Sequence, residues 1–193
     1  MLFLTNRHKM KERVCEMLTL FPIPEPFLLY LAEYHGTRDY FECHEIMEAY
    51  WKQKKEAAYE GSWLVLIRIA VMQYHARRDN ARGARKLLAK AAEEIEPQRM
   101  DELGLDGRRL KQMLDRRMAA WTDDGRVVYD DFDLPIADDA LLEAAVRKTE
   151  ALGASWRAPG ALAADDIVHR HLTRDRTEVL EARKASLEYR GGR

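Results

Sequence analysis

Residues 61–77 read GSWLVLIRIAVMQYHAR, a helix-length stretch with apolar side chains on every side and Arg68 as its first charge. A helix that is hydrophobic all round is stable only when other elements enclose it. The rest of the chain must therefore supply neighbours on several sides, and 193 residues with 47% apolar and 34% charged side chains can do so.

The flanking sequence supplies helices. Asp39 with Glu42 three residues later has the form of a capping box, so a helix begins there and runs to residue 54. Before it, residues 27–35 form a helix with Gly36 as its stop. After the central segment, 80–95 is rich in alanine and leucine and ends before Pro97. An earlier amphipathic segment, 9–20, is halted by Pro22, Pro24 and Pro26. Beyond residue 100 we expect a helix over 106–121, a polar turn at 122–125 and an extended piece at 126–129. There follow a strap across the surface at 132–136, a helix over 138–152 ended by Gly153, and a linker at 158–164. A last helix, capped by Asp175 with Glu178, runs to residue 189. The expected fold is all-α: an antiparallel bundle of two helical hairpins (four core helices) with additional C-terminal helices. The division is an N-terminal extension (1–26), a core domain (27–122) and a C-terminal strap and arm (123–193).

Two turns share residues at a constant offset. Tyr34, His35, Arg38 and Asp39 recur as Tyr74, His75, Arg78 and Asp79. The spacing is compatible with a helical hairpin used twice.

A formal net charge of -1 argues against a nucleic-acid-binding protein, and a basic run from Arg68 to Lys90 is balanced by acidic residues from Glu93 to Asp106. Cys15 and Cys43 lack the spacing of a zinc or redox pair, and Cys43 falls on an apolar stripe as a small core residue. The apolar runs are too short for a bilayer, and the N-terminus is charged from Arg7 to Arg13, unlike a signal peptide. The cytoplasm is the expected compartment and a membrane partner is not expected.

Any chemistry lies on the helix that starts at Asp39. At about 100° per residue, Tyr40, Cys43, Met47, Tyr50 and Trp51 share one side, with His44 and Glu48 near its edge, while Glu42 and Glu45 point away. A zinc-protease reading fails because position 48 is Glu and Glu45 is on the wrong face. On the central helix Leu64, Arg68, Val71 and His75 form one stripe. Depth counted from the two turns brings His44 level with His75 and Glu48 near Arg68, and a buried charge needs a partner. The expected cluster is His44, Glu48, Trp51, Arg68 and His75, with Glu48 paired to Arg68. His44, Glu48 and His75 could hold a divalent metal ion. His169 and His171 form a weaker metal-binding pair, useful only if that segment is extended.

The residues from Tyr40 to Trp51, with Tyr74-His75 and the run Arg78 to Arg85, resemble the bacterial, archaeal and plant family called domain of unknown function 309. Its signature of a His, a Glu four residues on and a Trp three further is matched by His44, Glu48 and Trp51. The resemblance covers 27–97 and implies an all-α bundle without implying an activity. The segment 168–176 is similar to the tail of longer Bacillus-type members. Two readings stay open. One is a binding or scaffold module for an unknown protein or small-molecule partner, with His44, Glu48, Arg68 and His75 as an internal polar network. The other is a small-molecule or metal-dependent, hydrolase-like enzyme with Glu48, His44 or His75 as catalytic groups. A homo-oligomer is compatible with either.

Overall fold

A computed structural model describes residues 23–54, 56–122 and 126–170. The expected helices at 9–20 and 175–189, Cys15 and His171 lie outside these residues. Among the described residues the chain is all-α, with eight α-helices and no strand. They are α1 (Glu25–Ala32), α2 (Tyr40–Trp51), α3 (Glu60–Arg77), α4 (Ala81–Glu94), α5 (Pro97–Glu102), α6 (Gly107–Ala120), α7 (Asp139–Ala151) and α8 (Asp165–Val168).

The central segment becomes α3, which packs against α2 on one side and α4 on the other. Trp63, Val65, Leu66, Ile67, Ile69, Ala70, Met72 and Tyr74 of this helix are buried, as its composition required. Each large apolar side chain taken from water in this way stabilises the fold by roughly 1.5–3 kcal/mol. Around this axis α1 packs on α2 and α7, and α6 packs on α4 and α5.

Helix starts follow their caps. Asp39, Asn80, Asp106 and Asp138 each accept a hydrogen bond from the backbone N–H three residues later. Helix ends are less faithful to expectation. Helix α2 stops at Trp51 rather than at 54, because Lys54 adopts a left-handed φ of 50°. Gly36 is not a stop: α1 passes through it as a π-helical turn, Glu33–Thr37, and Arg38 takes the left-handed position at φ 57°. Gly36 is needed for another reason, since a Cβ there would collide with the Thr149 side chain of α7.

The strap is more deeply set than expected. Phe132 and Leu134 are buried, Leu134 completely. The strap is pinned to the α5–α6 junction by Asp106 N–H to Pro135 O at 2.7 Å, Ala137 N–H to Gly104 O at 2.9 Å and a bridge between Leu105 and Ile136. It is thus a wedge in the core and not a surface ribbon, because Phe132 and Leu134 join the hydrophobic core and the Leu134 N–H bonds to His35.

Candidate functional site

The expected site residues separate into three groups. On α2, His44 Nδ1 lies 3.0 Å from Glu45 Oε1 and His44 Nε2 lies 4.0 Å from Glu48 Oε2. Glu48 also pairs with Lys52 at 3.1 Å. The His44, Glu45 and Glu48 side chains are about one-third exposed. Glu45, placed on the wrong face by helix phase, curls back to His44, which an adjacent carboxylate can do by rotamer choice.

On α3 the stripe of Leu64, Arg68, Val71 and His75 turns toward α4. Arg68 pairs with Glu94 of α4, so the expected Glu48–Arg68 pair is replaced by Arg68–Glu94 and Glu48–Lys52. His75 meets Asn80 Nδ2 through Nδ1 at 3.0 Å, and a Cβ on Gly83 would come within 2.9 Å of its ring. Partial burial, followed by the neighbouring Arg78 charge, lowers the His75 pKa. The stripe exists as counted, but a helix with two neighbours does not state in its own sequence which one a given stripe faces. His75 is not among the residues whose ligand atoms converge with those of His44.

Three possible ligand atoms do converge. One atom each from His44, Glu45 and Glu48 lie within 4.8 Å of one another, and all three residues are half-buried. Trp51 packs partly buried against the core at the far end of the same helix. His169 is exposed beyond α8.

Sequence reasoning missed the most deeply buried polar centre among the described residues. His35, Arg38, Asp39 and Gln73 are all at most 2% exposed, and they gather where the π-helical turn meets the strap. His35 Nδ1 lies 3.0 Å from Leu31 O, and His35 Nε2 accepts the Leu134 N–H at 3.1 Å. The second bond fixes the neutral tautomer with the proton on Nδ1. Its ring stacks on Trp156 at 4.4 Å. Burial lowers the His35 pKa to about 4, against the opposing effects of the Leu31 carbonyl and Asp133.

Arg38 binds three segments at once. Nε donates to Ala158 O at 2.7 Å, and Nη1 donates to Asp133 Oδ1 at 2.9 Å and to Tyr34 O at 3.3 Å. Burial opposes its charge, but Tyr40, Asp133 and Asp131 outweigh that and raise its pKa. The 158–164 segment, expected as a linker, is therefore docked, and Gly160 N–H adds a bond to Asp131 Oδ2 at 3.0 Å. Gln73 completes the centre. Its Nε2 donates to Asp130 O at 3.0 Å and its Oε1 accepts from Arg117 at 3.0 Å. Arg117 lies over the rings of Trp121 and Phe132 and pairs with Asp130 at 2.7 Å. Beside it an open cleft of about 370 Å³ is walled by Met113, Arg116, Trp121 and Phe132.

This centre had one visible signal, the Tyr-His-x-x-Arg-Asp turn, but its partners lie about a hundred residues away. Every polar atom of His35 is used, and Arg38 is tied to both the strap and the 158–164 segment. His35 and Arg38 thus tie the π-helical turn to the strap and to the 158–164 segment.

Comparison with known proteins agrees with the family resemblance. The family described as Domain of unknown function (DUF309) matches residues 27–87. An uncharacterized protein of Bacillus subtilis (strain 168), YpuF, is 36% identical over 170 residues, which are 86% of this chain and 96% of that protein. No solved structure matches the chain. Near-complete coverage at this identity, together with the match over α1 to α4, places the chain in a family: it belongs to DUF309.

Proposed function

We propose that this protein is a binding or scaffold module rather than an enzyme, its buried polar residues serving to hold helices and strap in one arrangement. The observation that carries this reading is the commitment of His35 and Arg38 to the strap and to neighbouring backbone. His35 uses both ring nitrogens, and Arg38 joins Tyr34, Asp133 and Ala158. Groups committed in this way fix the shape a partner meets, and they favour a module whose outer helix faces do the binding. His44, Glu48, Arg68 and His75 serve in it as pairing residues between or along helices. The test is a partner identified by cross-linking and then measured as a purified pair. Substitutions on the outer faces of α4 and α6 should weaken the complex at least tenfold, and His44→Ala should leave it within twofold. Loss of binding on His44→Ala with the fold intact would overturn the reading.

A second reading is supported by the convergence of His44, Glu45 and Glu48. These could hold a divalent cation, with His44 as nitrogen ligand and two carboxylates. Titration calorimetry with zinc and manganese ions on protein lacking a histidine tag tests it. Micromolar binding abolished by His44→Ala favours the metal, and no heat at millimolar ion refutes it.

A further inference from the structure

The open cleft beside Arg117 has two walls of different kinds. One is a single face of α6, which carries Met113, Arg116 and Ala120 at spacings of three and four, while Leu110 and Leu114 of the same helix are buried. The other is the strap, with Asp130, Asp131 and Phe132, and Trp121 contributes its indole from the end of the helix. At about 370 Å³ the space falls within the range of small-molecule pockets in folded proteins.

The protein itself engages three of the four charges that line this cleft. Arg117 donates to Gln73 Oε1 at 3.0 Å and pairs with Asp130 at 2.7 Å, and its guanidinium lies over the rings of Trp121 and Phe132. Asp131 accepts the Gly160 N–H at 3.0 Å and the Tyr129 hydroxyl at 3.0 Å, with Arg38 at 3.9 Å. Arg116 is the fourth. It is exposed, it has no acidic partner among the described residues, and its one hydrogen bond runs from Nε to Gln112 O at 3.2 Å. That leaves Nη1 and Nη2, two donors side by side.

The spare charge of the cleft is therefore positive, and its donor pair matches the two oxygens of a carboxylate. A cationic ligand would meet aspartates that are already neutralised, and Arg116 would repel it. A dianionic phosphate would be repelled by Asp130 and Asp131 on the facing wall more strongly than a monoanion. Beside Arg116 the lining is apolar: Met113 is partly buried against the core, Ala120 is exposed, and Trp121 and Phe132 are nearly buried. A thioether and aromatic side chains suit a flat ring.

We propose that the cleft between α6 and the strap binds an aromatic monocarboxylate, its carboxylate on the Arg116 guanidinium and its ring beside Met113 and Trp121. This adds a small ligand to the binding-module reading without depending on it. A titration with small molecules contains no protein partner, so either result can fail while the other stands.

The experiment is calorimetric titration of the full chain, with the Trp121 indole N–H followed by NMR in ¹⁵N-labelled protein. Indole-3-acetate is the probe, indole-3-acetamide its uncharged counterpart, and acetate the carboxylate without a ring. Indole-3-acetate should bind saturably and move the Trp121 resonance, with the other two at least tenfold weaker. Arg116→Ala should weaken indole-3-acetate at least tenfold, and Arg116→Lys, which keeps the charge but loses the paired donors, by about threefold. Arg116 is exposed, so both variants should fold as the parent does, and the three probes on the unsubstituted chain decide the matter even if they do not. A Trp121 resonance that fails to saturate at millimolar indole-3-acetate overturns the proposal. So does equal binding of the amide, which would remove the role of Arg116, or equal binding of acetate, which would remove that of the ring.

Discussion

Replacing His35 by Gln isolates the one buried group whose protonation should unfasten the strap. The neutral ring accepts the Leu134 N–H, and a protonated ring would set two donors against each other. Burial lowers the pKa from 6.5 to about 4 in the folded protein. Between these values the unfolded chain binds the proton and the folded one does not, so stability falls as pH drops from 6.5 toward 4 and is unaffected by this group above 6.5. At 1.36 kcal/mol per unit the full window is worth about 3 kcal/mol. Glutamine can donate and accept in the same place but does not titrate in this range, so all other groups cancel in the comparison. Urea unfolding of both proteins at pH 7.5, 6.5, 5.5 and 4.5 measures the difference. The variant should start less stable, by about 1–3 kcal/mol for the lost stacking on Trp156 and imperfect geometry, and should lose less as pH falls, so that the gap narrows by about 2.5 kcal/mol at pH 4.5. Parallel pH profiles would refute the assignment of a neutral, strap-binding His35.

Arg38→Met should cost about 3–5 kcal/mol, because Asp133 and the Ala158 carbonyl lose a buried partner; the readout is urea unfolding together with faster proteolysis within 126–138. Gly107→Ala puts a Cβ into the backbone carbonyl of Pro97, which cannot move aside as a side chain would, and should destabilise by about 3 kcal/mol in thermal or urea melts. Glu48→Gln removes only partly exposed pairs with Lys52 and His44, and should change unfolding free energy by less than about 0.5 kcal/mol. A large loss there would show that the His44–Glu48 pair carries more of the fold than its exposure implies.

Most helices were readable because the signals that start them are local. Asp39 and Asp138 cap the helices they precede, and α3 declared its own burial by being apolar on all sides. Helix α5 was not foreseen, since six residues opened by Pro97 carry too little periodicity to stand out from a loop. The candidate site was less readable because it depends on which neighbour each stripe meets. Arg68 and His75 share a stripe as the spacing says, yet that stripe faces α4, and nothing within residues 61–77 distinguishes α4 from α2 as its partner. The buried centre lay further out of reach. His35 and Arg38 find their partners in Leu134, Asp133 and Ala158, and pairings across such distances leave no periodic mark in a single sequence.

The two similar turns show how a shared motif can mislead about position. Tyr34-His35 and Tyr74-His75 are forty residues apart, but the left-handed residues that reverse the chain are Arg38 and Asp79, and the caps that follow are Asp39 and Asn80, so the structural offset is one residue larger. The π-helical turn at Glu33–Thr37 brings the chain to its reversal three residues after His35, whereas α3 continues to Arg77 and reverses four residues after His75. One residue on a helix rotates a side chain by about 100°. That rotation suffices to send His35 inward against Trp156 and the strap, while His75 settles half-buried against Asn80 and Gly83. Gly36 belongs to the same arrangement, since only a residue without a Cβ lets Thr149 of α7 approach there, whereas its counterpart Ala76 is a buried residue within α3. Identical dipeptides at corresponding turns thus occupy different environments, and the histidine of the first turn is a neutral clamp.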